Sequence, residues 1–155
     1  MESSTHNPQV SGVPTRSFVL ASVAALAIGA GAYVLGLFNA QMALNEKGYY
    51  LIILLYGLFS MVSLQKSVRD QKEGISTSPL YVNLCWFSSA VAIALLVIGL
   101  YNADLLLSEK GFYAMAYTLS LFAAVVVQKN TRDSQSAGAS QVGVEEDAIN
   151  ASEPG

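Results

Sequence analysis

Residues 18–66 read FVLASVAALAIGAGAYVLGLFNAQMALNEKGYYLIILLYGLFSMVSLQK, two apolar runs joined by a short polar step. No Asp, Glu, Lys or Arg occurs in residues 17–45 or 48–65. A helix that crosses a hydrocarbon core of roughly 30 Å needs about 20 mostly apolar residues. Residues 18–38 meet that length directly. The second run reaches it only from Glu46 to Lys66, whose terminal charges can extend to the lipid–water interface. The stretch therefore predicts a transmembrane helical hairpin. Further along, residues 74–103 and 111–128 are again free of charge. The same arithmetic places two more spans at about 80–101 and 109–129. Composition agrees: 53% of the chain is hydrophobic and 12% charged, against about a quarter charged in ordinary soluble domains.

A shift of 63 positions superimposes the two hairpins. GLFNA (36–40) matches GLYNA (99–103), and LNEKGYY (44–50) matches LSEKGFY (107–113). Leu58-Phe59 matches Leu121-Phe122, and Gln65, Lys66, Arg69 and Asp70 match Gln128, Lys129, Arg132 and Asp133. Sixteen of the 35 positions in 36–70 are identical in 99–133, too many for chance. Each unit holds two helices, so both units enter the bilayer from the same side. The expected fold is all-α and integral to the membrane, with four transmembrane helices as two tandem parallel-repeat hairpins related about the membrane normal. An N-tail (1–16), a first repeat (17–70), a linker (71–79), a second repeat (80–133) and an acidic C-tail (134–155) complete the division. Both tails are polar and expected to be disordered.

The repeat also bears on the first apolar run as a cleavable leader. Ala30-Gly31-Ala32 has the small-x-small look of a cleavage site. Residues on both sides of it recur in the second half, where no leader exists, so a retained helix is expected. Orientation follows from the cations. Arg16, Lys66, Arg69, Lys72, Lys129 and Arg132 fall at one end of the bundle, Lys47 and Lys110 at the other. The positive-inside rule then puts both termini in the cytoplasm and both hairpin tips outside.

The doubled pattern GL-aromatic-NAxxxLxEKGxY followed by LFxxxxxQKxxRD resembles the YiaA/YiaB family of bacterial inner-membrane proteins. The likeness covers about residues 17–133, the family's two-helix domain twice over. It implies a bacterial inner-membrane location and a repeated two-helix fold. It implies no catalytic or ligand-binding residue.

The polar residues of the repeat are the candidates for chemistry. At the outer tips stand Asn39, Asn45, Glu46, Lys47 and Gly48, with Asn102, Ser108, Glu109, Lys110 and Gly111. Asn39 and Asn102, the two Glu-Lys pairs and Asp104 would line a polar vestibule. The structural alternative, preferred here, is a tight turn: Asn45 and Ser108 cap the helices, the following Glu complements the helix dipole, and Asn39 and Asn102 bond the chain reversal. At the other end stand Gln65, Lys66, Arg69 and Asp70 and their counterparts Gln128, Lys129, Arg132 and Asp133. A lipid or phosphate site is conceivable there, but solvated helix ends obeying the topology rule are the preferred reading.

Small residues at 21, 25, 29, 32 and 36 form a stripe suited to close helix approach, within the chain or in a homodimer. Tyr49, Tyr50, Phe112 and Tyr113 read as an outer aromatic belt, and Tyr81, Trp86 and Phe87 as an inner one. Tyr33, Tyr56 and Tyr117 lie deeper and need hydrogen-bond partners, which the small-residue seams or Ser63 and Thr118 would supply. One cysteine (Cys85) and one histidine (His6) assemble no metal site of the usual type. No catalytic triad, phosphate loop or cofactor motif is present, and no charge falls at mid-span to serve a proton relay. The expected function is non-enzymatic, through helix packing or contact with a partner in the envelope. The alternative is a small oligomeric channel or exporter for an apolar or weakly polar solute. The expected partners are the lipid bilayer, a second copy or another membrane protein, and not nucleic acid.

Overall fold

A computed structural model describes residues 12–152. It contains four α-helices among them and no strand: α1 (Arg16–Asn39), α2 (Leu44–Lys72), α3 (Pro79–Asn102) and α4 (Leu107–Ser152). At 1.5 Å per residue, the 24 residues of α1 and of α3 each span about 36 Å. All four helices are long and apolar enough to cross a membrane. Their outward faces carry large apolar side chains, including Phe59 at 71% and Leu80 at 78% exposure. Water would penalise such a surface, and lipid does not.

Thr15 caps α1, its hydroxyl accepting from the Phe18 amide at 3.4 Å. Pro79 opens α3 at a first-turn position where its missing N–H costs nothing. Helix α2 runs past Lys66 to Lys72 and stops at Gly74, which takes a left-handed φ of 73°. Helix α4 departs most from expectation. The sequence reading ends it near residue 129 and leaves 134–155 disordered, yet the helix continues to Ser152. No proline interrupts residues 107–152, the next being Pro154, and Ala, the strongest helix former, is with Ser the commonest residue of 134–152. Ser136 and Ser140 each donate to the carbonyl four residues back, both at 3.0 Å. Most of the N-tail and residues 153–155 lie outside the described residues.

The packing exchanges partners between the repeats. Helix α1 lies mainly against α4, and α3 mainly against α2, while the two helices of each hairpin touch little. Helices α2 and α4 meet in the middle. Their tip ends join through the Tyr50–Tyr113 ring pair, 6.3 Å apart and nearly parallel, and their other ends through Arg69–Asp133. Both therefore run in the same direction. Tyr50 and Tyr113 are 63 positions apart, so this contact sits on the pseudo-twofold axis itself.

Gly36 and Gly99 explain how the outer pairs close. A Cβ at Gly36 would lie 2.7 Å from Phe112 Cε1, and one at Gly99 would lie 2.7 Å from Tyr49 Cε1. These are the same contact at positions 63 apart. Gly29, further down the stripe, faces Ser120 and Leu119 of α4, whereas Ala21 is exposed. The stripe thus packs within the chain at Gly29 and Gly36.

Candidate functional site

The hairpin tips are built by the Glu-Lys pair, each residue serving a different helix. Glu46 lies in the first turn of α2, and its carboxylate accepts the Ala43 amide at 2.9 Å. Glu109 accepts the Leu106 amide at 2.9 Å. Lys47 donates backwards to the Phe38 carbonyl at 2.9 Å, and Lys110 to the Tyr101 carbonyl at 3.3 Å. The anion therefore completes the start of one helix while the cation completes the end of the preceding one.

Two preferred readings for the tips change, the capping residues and the role of Asn39 and Asn102. The caps fall on Ala43 and Leu106, so Asn45 and Ser108 lie inside their helices as exposed residues. Hydrophobic residues hold the cap positions because the Glu side chain reaches back to satisfy the orphan amide. Asn39 and Asn102 do not bond the chain reversal. Each donates to the carbonyl four residues earlier in its own helix, Leu35 at 3.0 Å and Ile98 at 2.8 Å. Gly48 and Gly111 meet nothing within 4 Å, so the close approach belongs to Gly36 and Gly99. Of the vestibule residues, Glu46 and Asn102 stand together around a cleft of about 390 Å³, while Lys47 and Lys110 are tied to carbonyls.

At the opposite end, where α1 begins, the repeats are clasped by reciprocal ion pairs. Arg69 of α2 meets Asp133 of α4 at 3.0 Å, and Arg132 of α4 meets Asp70 of α2 at 3.3 Å. The two pairs are one interaction made twice across the axis, since 69 and 132 are equivalent, as are 70 and 133. Glu73 joins both arginines, at 2.7 Å from Arg69 and 3.4 Å from Arg132. Lys129 reaches Asp133 at 3.7 Å. Lys66 and Asp70 share the same spacing, but Asp70 pairs with Arg132 and not with Lys66. Lys66 and Lys72 have no acid within ion-pair distance among the described residues. Gln65 lines a polar cleft here, and the Gln128 Oε1 is buried without a partner.

Between the two ends lies a core the sequence reading did not assemble. Tyr33 is fully buried and donates to the Tyr50 carbonyl at 3.0 Å. Tyr117 donates to the Ile53 carbonyl at 3.3 Å, and Tyr49 to Leu95 at 2.8 Å. Backbone carbonyls, not Ser63 or Thr118, are thus the partners of Tyr33 and Tyr117; Thr118 bonds Ala114 in its own helix. Facing helices also share polar contacts. Asn130, 1% exposed, donates to Ser22 at 3.2 Å, and Ser67 meets Cys85 at 3.5 Å. Ser22 and Cys85 are equivalent positions, as are Ser67 and Asn130, so this seam too is made twice. The usable signal was a pair of polar positions that recur at the 63-residue shift. Among the described residues no cluster of His, Cys, Asp and Glu has the makings of a metal site.

The family described as the yiaA/B two helix domain matches residues 18–70 and again residues 81–133. The chain belongs to this family. It is 56% identical over 117 residues to inner membrane protein YiaA of Escherichia coli (strain K12), covering 76% of this chain and 81% of that protein. Inner membrane protein YiaB of the same organism is 30% identical over 95 residues, 61% of this chain and 80% of YiaB. The uncharacterized membrane protein YubF of Bacillus subtilis (strain 168) is 44% identical over 64 residues, 41% of this chain and 74% of YubF. No solved structure matches. The chain is a multi-pass membrane protein of two tandem two-helix repeats.

Proposed function

We propose that the protein is a non-enzymatic component of the bacterial inner membrane, with both termini in the cytoplasm, that acts through helix packing or contact with an envelope partner. The observation that carries this reading is that the charged residues repeated at the tips, and four of those at the opposite end, are committed to the fold. Glu46 and Glu109 cap helices, Lys47 and Lys110 close the preceding ones, and Arg69, Asp70, Arg132 and Asp133 clasp the repeats. A group already bound to backbone or to a counter-ion is poorly placed to act on a solute. The central axis is occupied by the Tyr50–Tyr113 stack, which disfavours a pore through a single chain. The inner-membrane assignment is supported by the likeness to the inner membrane proteins YiaA and YiaB of Escherichia coli. The orientation rests on six cations at the terminal end against two at the tips.

Two measurements test the reading. A reporter active only in the cytoplasm, fused after Gly155, is expected to be active; activity of a periplasm-only reporter at that position overturns the orientation. Liposomes holding the purified protein are expected to leak small neutral solutes no faster than protein-free liposomes. Faster passage would replace the packing role with a channel.

A further inference from the structure

The pseudo-symmetry is not exact. Where α3 and α4 splay apart, an apolar groove of about 360 Å³ opens between them, lined by Met61, Ile93, Val97, Thr118, Phe122 and Val125 among others. Its floor is low because Ala114 and Thr118 stand where the first repeat has Leu51 and Leu55. One helical turn beyond Met61 comes Gln65, and one turn beyond Val125 comes Lys129. These residues enter a second cleft, of about 290 Å³, lined by Gln65, Val68, Arg69, Lys72, Lys129 and Asp133. The same faces of α2 and α4 thus run from an apolar groove into a basic cleft at the membrane edge.

Charges in the cleft are unequal. Arg69 is held by Asp133 and Glu73, and Lys129 shares Asp133 at the long distance of 3.7 Å. Lys72 has no acid partner among the described residues, so the lining keeps net positive charge. The equivalent face on the other side of the axis has Gln135 in place of Lys72. Depth fits as well. Met61 lies 11 residues above Lys72, about 16 Å along the helix, close to half of a roughly 30 Å hydrocarbon core.

We propose that this face binds one anionic phospholipid, an acyl chain lying in the α3–α4 groove and the phosphate between Lys72 and Lys129. A groove this apolar in lipid is filled by lipid chains, and the basic cleft at its mouth selects the headgroup. The inference concerns one leaflet and holds whichever way the protein is oriented.

Native mass spectrometry of the full chain, with phosphatidylglycerol or phosphatidylcholine added to the detergent solution, reads the site directly. One phosphatidylglycerol per chain is expected, retained at least tenfold better than phosphatidylcholine. Lys72→Gln and Lys129→Gln are each expected to weaken retention about fivefold, at unchanged melting temperature. Thr118→Leu, which fills the groove and leaves both lysines, is expected to abolish it. Lys66→Gln, on the opposite face, is expected to change nothing. Equal retention of the two lipids, or equal weakening by Lys66→Gln, overturns the site. Displacement of the lipid by glycerol phosphate at the same concentration overturns it in favour of a site for a free phosphate.

Discussion

Gly29→Ala and Gly31→Ala are two residues apart on one helix, yet the packing separates them sharply. A Cβ at Gly29 would stand 2.9 Å from Ser120 Oγ, 3.1 Å from the Ser120 backbone nitrogen and 3.2 Å from Leu119 Cγ. The nitrogen cannot rotate away, so α1 and α4 must separate. At Gly31 nothing lies within 4 Å. The change in helix propensity is the same for both, up to about 1 kcal/mol in favour of Ala, and cancels in the comparison. What remains is overpacking, typically about 1–3 kcal/mol. Gly29→Ala is therefore expected to be less stable than Gly31→Ala by about that amount. Reversible unfolding of both variants in detergent measures the difference. Adding Ser120→Ala removes the nearest of the three obstacles, so Gly29→Ala/Ser120→Ala should recover part of the loss, a coupling of at least about 0.5 kcal/mol. Equal stability of the two glycine variants, or strict additivity with Ser120→Ala, would refute the close α1–α4 contact.

The clasp predicts a second cycle. Arg69→Ala and Asp133→Ala should couple by up to about 1 kcal/mol, partly exposed as they are, and the coupling should shrink in high salt; strict additivity in low salt would count against the pair. At the tips, Glu46→Ala and Glu109→Ala should each cost about 0.5–2 kcal/mol as lost caps, while Asn45→Ala and Ser108→Ala stay near zero. A reversed order in thermal unfolding would restore Asn45 and Ser108 as caps. Tyr33→Phe, which loses one buried hydrogen bond and no volume, should cost about 0.6 kcal/mol; a change of several kcal/mol would mean that the hydroxyl has a further partner.

Apolar length and the 63-residue shift made the four helices and their order legible, because both are properties of local sequence. The cap positions were not, since Asn45 and Ser108 have the better intrinsic cap chemistry and only the reach of Glu46 and Glu109 moves the start of each helix. Residues 134–152 carry the composition of a solvated segment, and composition does not distinguish a solvated helix from a coil. Partner exchange between hairpins was hidden for a different reason. Gly29 and Gly36 show that α1 has a close-packing face, but a face does not name the helix that fills it. The clasp was half visible: Arg69, Asp70, Arg132 and Asp133 were singled out, while their pairing across the axis needed α2 and α4 to be neighbours.

The exchanged packing also explains why the halves of the core have diverged in matched fashion. Tyr117 inserts over Gly57, where an added Cβ would lie 2.8 Å from the ring Cζ. The equivalent positions in the other sense are Leu54 and Ser120, a smaller side chain and a larger floor. Consider a second copy of this chain pairing like with like about the same axis. Two first repeats would bring Leu54 onto Gly57 and leave unfilled the space that the Tyr117 ring now takes, an underpacked contact. Two second repeats would bring Tyr117 onto Ser120, whose side chain stands where the ring requires bare backbone. Only the pairing of first repeat with second fits both positions. A symmetric ancestor pairs equally well in all three combinations. The divergence of residues 54, 57, 117 and 120 therefore directs each repeat to the other within its own chain, and the short tip at residues 40–43 keeps α1 close enough to find α4.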